Sequence, residues 1–445
     1  MNTLIVNFLK KYSEENGVRF HMPGHHGKAF LGFEALDITE IKGADSLYEA
    51  DGIIAESESN ASRLFGSGAT FFSTEGSSQC VRAMLYLAVT ISTKRLILAA
   101  RNVHKSFVYA AGLIGFDVEW LGSEGSDSLC GCEISAETVA ERLDSMVLLP
   151  AAVYVTSPNY LGAMLDVKGI AEVCHQRGVL LIVDNAHGAY LRFLPESLHP
   201  LDLGADICCD SAHKTLPVLT GGAYLHLSKR LPAEYCEQAK VALEIFGSTS
   251  PSYLILASLD LCNDYLDKLI RSELVGRIEF LKRVREELAQ NGWLLAGSDP
   301  LKLTLRAPDG MNGDSVAGLL RGASIEPEFI DSNYVVLMTT PQNPESDFAR
   351  LISALGVNSR SFSARESVSI GIPARAMSIR AALFAPHEFV KIEDAIGRVC
   401  GAPTVACPPA IPIAVSGEVI DDAAADLFRR YGVKTVEVVR RAGRD

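Results

Sequence analysis

Lys214 is the side chain of this 445-residue sequence best placed for covalent chemistry. It stands in Asp210-Ser211-Ala212-His213-Lys214-Thr215-Leu216-Pro217, followed by Thr220-Gly221-Gly222-Ala223. Lysine is almost never buried unless paired. Yet apolar runs flank this one, Ile207-Cys208-Cys209 before it and Ala223-Tyr224-Leu225-His226-Leu227 after it. The pattern predicts strand, polar loop, strand. Desolvation and nearby positive groups lower the pKa of such an amine, so the neutral form can attack a carbonyl and form a Schiff base. A surface lysine in a tight turn has the same local pattern, so partners elsewhere must decide.

One partner is an anion site. Gly76-Ser77-Ser78 precedes the helical run Cys80 to Leu87. The free N–H groups and dipole of a helix start favour a phosphate, and two hydroxyls add hydrogen bonds. A plain serine N-cap reads the same way in isolation. The Gly-x-x-x-x-Gly-Lys spacing of a nucleotide-binding loop is absent. Phe20-His21-Met22-Pro23-Gly24-His25-His26-Gly27-Lys28 is a polar loop suited to lining a site. No acidic or cysteine ligand joins its histidines at helical spacing, and no metal is expected.

These groups need elements to hold them. Between residues 94 and 227 strands and helices alternate. Strands are expected at Leu96 to Ala100, Asp117 to Leu121, Val147 to Thr156, Val179 to Val183 and Asp206 to Asp210. Helices are expected at Lys105 to Gly115, Ser135 to Leu143 and Val167 to Arg177. Near-continuous aliphatic strands imply a sheet buried on both faces, hence a mostly parallel α/β core. Ligands of such sheets sit beyond the C-terminal strand ends. Four polar clusters fall there: Arg101-Asn102-Val103-His104-Lys105, Ser157-Pro158-Asn159-Tyr160-Leu161-Gly162, Asp184-Asn185-Ala186-His187-Gly188 and Ser211-Ala212-His213-Lys214.

Composition narrows the class. Hydrophobic residues make up 48% and charged residues 21%, ordinary for a soluble enzyme. A net charge of −13 argues against nucleic acid and anionic membrane as main partners and suits a cationic substrate. No run of about 18 apolar residues appears, so no membrane span is expected. The first residues lack the basic region of a signal peptide. The ten cysteines are scattered without zinc-ligand spacing, which suits a reducing cytoplasm.

A lysine, an aspartate and a helix-start phosphate cup together suggest pyridoxal 5'-phosphate. Lys214 would hold the aldehyde and Asp184 would pair with the pyridine nitrogen. Gly76, Ser77, Ser78 and Ser211 would hold the phosphate. His104 could stack on one face of the ring, with Ala186 against the other.

The sequence resembles the fold type I ornithine/lysine/arginine decarboxylase family in its short bacterial form. Ser211 to Pro217 with Leu219-Thr220 matches Ser-x-His-Lys-Thr-Leu-Pro-x-Leu-Thr, and Arg101 to Ser106 matches Arg-Asn-x-His-Lys-Ser. Asp184 to Gly188 resembles Asp-Glu-Ala-His-Gly, and Phe20 to Gly27 resembles Phe-x-x-Pro-Gly-His-Lys-x-Gly. Ser248 to Tyr253 matches Ser-Thr-Ser-Pro-Ser-Tyr. Cys407 to Pro412 with Gly417-Glu418 resembles Tyr-Pro-Pro-Gly-Ile-Pro with Pro-Gly-Glu. The departures are His26 for lysine, Glu75 for the asparagine before Gly-Ser, Asn185 for glutamate, Ala410 for glycine and Ser416 for proline.

The resemblance implies a fold type I transferase-like α/β architecture with a mostly parallel central sheet, helices on both faces and a small C-terminal α+β domain. The expected division is an arm over 1–60, a large domain over 61–255, and a linker helix with the small domain over 256–445. In that small domain, strands are expected at Lys302 to Ala307 and Tyr334 to Thr339, and helices at Ser315 to Arg321, Ser346 to Leu355 and Glu388 to Val399. The implied reaction is decarboxylation of arginine, lysine or ornithine, with a place in polyamine biosynthesis. His213 or Lys214 would reprotonate Cα, and His104 would belong to the catalytic set. His187 would stand beside the pocket, where substrate contact and a structural role both fit. Glu418 could pair with the substrate's distal cation or lie at the surface. The implied role of Thr249 is to reach a neighbouring subunit's phosphate, which predicts a homodimer or larger assembly. An aminotransferase, a lyase, or a non-catalytic homologue would share the fold.

Overall fold

The computed structural model describes residues 1–15, 17–122, 126–365, 368, 372–403 and 409–441. Cys407-Pro408 of the C-terminal motif lies outside the described residues, as does part of the Pro-rich segment 403–412. The chain divides into two compact units, Met1–Ser92 with Leu180–Gly276, and Thr93–Val179 with Arg277–Asp445. The first seven strands in chain order are β1 (Ala69–Ser73), β2 (Leu96–Ala100), β3 (Asp117–Leu121), β4 (Ala152–Thr156), β5 (Leu180–Asp184), β6 (Ile207–Asp210) and β7 (Ala223–Leu227).

The first unit carries β1, β7, β6 and β5 side by side in that order. β5 and β6 run parallel, with Val183 opposite Cys208 and Asp184 opposite Cys209. β7 runs antiparallel to both of its neighbours, placing Leu225 opposite Cys209 and Tyr224 opposite Phe72. Every residue of β6 and β7 is buried, as continuous apolar strands require when both faces are covered. Three helices precede or follow β1: α1 (Leu4–Glu14), α2 (Ile53–Phe65) and α3 (Ser77–Ile91). α1 has no side-chain cap of its own. Buried Asp260 supplies one from afar, accepting the amides of Ile5 and Val6 at 3.0 and 3.2 Å and the Ser57 hydroxyl at 2.7 Å. Buried Glu58 pairs with partly buried Lys240 at 2.6 Å, and Glu58 also accepts the Phe72 amide of β1 at 2.9 Å.

In the second unit β2 lies between β3 and β4 and runs parallel to both. Further along the chain come β8 (Leu295–Ala296), β9 (Lys302–Arg306), β10 (Phe329–Ile330) and β11 (Tyr334–Met338). They form an antiparallel sheet in the order β10-β11-β9-β8, and helices Gly313–Gly322 and Glu345–Leu355 pack on each other beside it. This is the small α+β element expected near the C-terminus. Among the described residues no helix is long and apolar enough to cross a membrane.

Three expectations need correction. The apolar run Val147 to Thr156 is a strand only from Ala152; Val147 is 99% exposed and Leu149 is also in contact with solvent. Apolar character marked the run, but only its second half has a neighbour in β2. The helix expected over Glu388 to Val399 is instead β12 (His387–Lys391) followed by the single turn Ile392–Ala395. β12 pairs antiparallel with β13 (Thr435–Val439), so a partner more than forty positions away overrides local helical periodicity. Lys214 sits on one helical turn, Ala212–Thr215, and not in an open loop.

Candidate active site

In the first unit, the sheet carries Asp184 to the C-terminal end of β5 and Ser211 to that of β6. The parallel pairing sets those ends side by side, and the Asn185 amide donates to the Cys209 carbonyl at 3.0 Å to extend the register. Asp184 is buried, and its Oδ1 accepts the Ala186 amide at 3.1 Å. The turn after Ser211 exposes one side of Lys214, which is half-buried. Its Nζ lies 3.0 Å from Nε2 of His187, whose ring is buried. A neutral imidazole at that distance can take a proton from the ammonium and leave a nucleophilic amine. His213 next to it has Nδ1 2.9 Å from the Gly222 carbonyl. Only a protonated nitrogen can donate there, so Nε2 is the basic position of the neutral ring.

The helix-start cup has the geometry of an anion site. Gly76 is the N-cap of α3, with φ of 71°, and brings no side chain to the helix's first amides. A Cβ built on it would meet nothing within 4 Å, so the space in front of the helix is open. The Ser211 hydroxyl lies 2.7 Å from that of Ser77, joining the end of β6 to the start of α3. The Gly76 amide donates to Gly221 at 2.7 Å, which ties the Gly-Gly motif after Lys214 to the cup. Glu75, one of the unusual residues, accepts the Ser248 amide through Oε1. It thereby holds the start of Ser248 to Tyr253, where Thr249 is exposed. The residues present fit a phosphorylated aldehyde cofactor: uncapped amides and two hydroxyls for the phosphate, a buried carboxylate, and a lysine.

The second unit holds His104 at the N-cap of helix Lys105–Ala110. Its Nδ1 accepts the Ser106 amide at 3.2 Å and lies 2.8 Å from the Ser106 hydroxyl, which fixes the ring's orientation. The segment before it is anchored by Arg101, 2% exposed. Arg101 donates to the Pro412 and Ile413 carbonyls at 3.2 and 3.1 Å and to Glu418 Oε2 at 3.0 Å, and it lies over Trp120 at 5.1 Å. Lys105 donates its amide to the Ala410 carbonyl at 2.8 Å. Ala410 has φ of 58°, the left-handed region that favours the glycine it replaces. Glu418 is 4% exposed, and its Oε2 also accepts the Val415 amide at 2.7 Å. Burial pushes its carboxyl up, against the opposing pull of Arg101. Neither sequence expectation for Glu418 holds: it is not at the surface, and its cation is Arg101.

Sequence reasoning missed the buried partners of Asp210: Asn185, His199 and His226. A signal was present in Ala223-Tyr224-Leu225-His226-Leu227, since a histidine inside an apolar strand requires a buried hydrogen-bond partner.

A family model described as "Orn/Lys/Arg decarboxylase, major domain" matches residues 3–297. The chain is 31% identical to an arginine decarboxylase of Halalkalibacterium halodurans, over 92% of this chain and 89% of that one. It is 30% identical to an arginine decarboxylase of Bacillus subtilis, over 93% of this chain and 90% of that one. A lysine decarboxylase of Francisella novicida superposes with a TM-score of 0.80 at 18% identity, covering 98% of this chain and 81% of that one. That last likeness is one of fold, the fold type I α/β architecture expected from the sequence.

Proposed function

This chain belongs to the Orn/Lys/Arg decarboxylase family, and on that premise we propose that it removes the carboxylate of a basic amino acid with pyridoxal 5'-phosphate held on Lys214. The observation that carries the assignment of residues is Lys214 Nζ at 3.0 Å from His187, on a turn that begins at the Ser211–Ser77 hydroxyl pair. Gly76, Ser77, Ser78 and Ser211 would hold the phosphate, Asp184 the pyridine nitrogen, and Ala186 one ring face. His104 would cover the other face, its imidazole oriented by Ser106. The cofactor supplies an electron sink for the pair left behind when CO2 departs.

The chain's own groups do the rest. His187 takes a proton from Lys214 and so prepares the amine. His213, fixed through Nδ1 on Gly222, presents Nε2 as the group to return a proton to Cα, with Lys214 as its partner in that task. Thr249, exposed on this chain, would complete the phosphate site of a second copy. Support for arginine as substrate comes from the relatives that match over nine-tenths of the chain. The scattered spacing of the ten cysteines supports a reducing cytoplasmic setting.

The test is one panel. The purified protein with added cofactor is given arginine, lysine and ornithine, and CO2 and amine are measured. Arginine is expected to give both in equal amounts. An absorbance band lost on borohydride treatment is expected in the native protein and absent from Lys214→Ala. Failure to turn over any of the three amino acids would refute decarboxylation; a borohydride-sensitive band surviving in Lys214→Ala would refute the role of that lysine.

A further inference from the structure

Asp210 carries a fully buried carboxylate directly before the reactive turn. Its Oδ1 accepts from Asn185 Nδ2 at 2.6 Å. Its Oδ2 lies 3.1 Å from Nε2 of both His199 and His226. His226 Nδ1 lies 2.8 Å from the Thr70 hydroxyl, which lies 2.7 Å from that of Ser67. One proton arrangement satisfies the chain of contacts. Thr70 donates to His226 Nδ1, and both histidines and Asn185 donate to an ionised Asp210. Three donors around one buried anion offset its desolvation. His199, Cys208 and Asp210 also bring potential ligand atoms within 4.8 Å of one another, but the hydrogen bonds account for Asp210 without an ion.

The two residues of the shortest contact occupy special places. Asn185 directly follows Asp184, and Asp210 directly precedes Ser211. Asn185 also departs from the glutamate of the Asp-Glu-Ala-His-Gly motif. A carboxylate there would face Asp210 where both side chains are fully buried.

We propose that the Asn185–Asp210 pair is a positioning device that locks the ends of β5 and β6, and with them Asp184 and Lys214, and that it requires a neutral hydrogen-bond donor at 185. It rests on the roles given to Asp184 and Lys214 above. A second copy of the same logic would be an acid at one position and an amide at the other, with places exchanged. An asparagine at 210 can turn its oxygen to the two histidines and its NH2 group to an aspartate at 185. The other titratable groups facing Asp210 are Cys208 and Cys209 on its own strand, Tyr224 on β7 and Cys80 on α3, and the Asp184 carboxylate acts on the same three cysteines. Burial pushes the Cys80 thiol up to about 12 and the Cys208 and Cys209 thiols and the Tyr224 phenol well above their ordinary values, so these four stay protonated at neutral pH.

The test compares Asn185→Asp, Asp210→Asn and the exchange variant carrying both. In Asn185→Asp, a protonated carboxyl keeps the bond to Asp210 at low pH, and its ionisation at higher pH sets two buried anions together. Its kcat is expected to fall by about 10-fold or more relative to the native enzyme as pH rises, with KM within twofold. The unfolding midpoint of its cofactor-free form is expected to fall in the same direction, from about pH 4 upward. The exchange variant is expected to lose this pH dependence and to recover more activity than the two single effects combined would leave. Recovery of folding by the exchange where Asn185→Asp does not fold supports the pair equally. A native pH profile in Asn185→Asp, or an exchange variant no better than the combined singles in activity and folding, would overturn it. If the native protein shows no borohydride-sensitive band, the assignment of Lys214 falls, while the cofactor-free unfolding data still judge the pair.

Discussion

Glu418→Gln separates a structural carboxylate from a substrate-binding one. Arg101 and Glu418 are 317 residues apart and both are buried, so each is the other's charge partner. Removing one side of a buried pair costs about 3–5 kcal/mol, because the remaining charge stays desolvated. Loss of the Val415 amide's acceptor adds about 1 kcal/mol. Glu418→Ala therefore loses a large part of a domain's usual stability of about 5–15 kcal/mol. Glu418→Gln keeps an acceptor for Arg101 and should cost less, about 1–3 kcal/mol. With a urea slope of about 2–3 kcal/mol per molar, the unfolding midpoint should fall by about 0.3–1.5 M. Among folded molecules, KM for the basic amino acid should stay within twofold. The reasoning is wrong if the midpoint is unchanged and KM rises tenfold, since a tenfold rise is the about 1.4 kcal/mol signature of a lost ligand contact. A cycle with Arg101→Met adds a check: the two changes together should cost less than their sum.

Two further outcomes follow from the geometry. Burial alone would raise the Asp210 carboxyl, but His199 and His226 outweigh it and hold it well below the usual carboxylate range. As pH falls below about 4 the unfolded chain takes up a proton that the folded chain refuses, so this contribution to stability is present above that pH and lost below it. Asp210→Asn should flatten the slope of unfolding midpoint against pH between about 5 and 3; an unchanged slope would show that Asp210 is not the group responsible. For Thr249, mixing Lys214→Ala with Thr249→Ala subunits tests action across a dimer. A site with its own Lys214 would regain an intact Thr249 only from the partner, so a mixture should recover about a quarter of native activity. Activity no higher than that of Thr249→Ala alone would place Thr249 within its own site, or outside the site.

The strands were legible because burial on both faces writes itself into composition: Leu180–Asp184 and Ala223–Leu227 are apolar almost throughout. The same signal failed at Val147, where apolar character met no neighbouring strand, and at His387–Lys391, whose partner lies near the far end of the chain. The proposed site rests on short motifs that carry their chemistry locally, as with Lys214, His104 and the Gly-Ser-Ser cup. It was not legible where two motifs meet. Glu418 read as a candidate for a substrate's cation because a lone acid in a sequence carries no record of its partner; Arg101 supplies that partner from the β2 end. Asn185 shows the same limit from the other side. As a single position it is a departure from a motif, with no direction attached. Against Asp210, buried with two histidines, it becomes a chemical requirement: the anion needs a donor there, and an acid would have to hold its proton to serve. A substitution in a reactive motif is therefore to be judged against the buried charge it faces, and here that charge lies twenty-five residues away on the next strand.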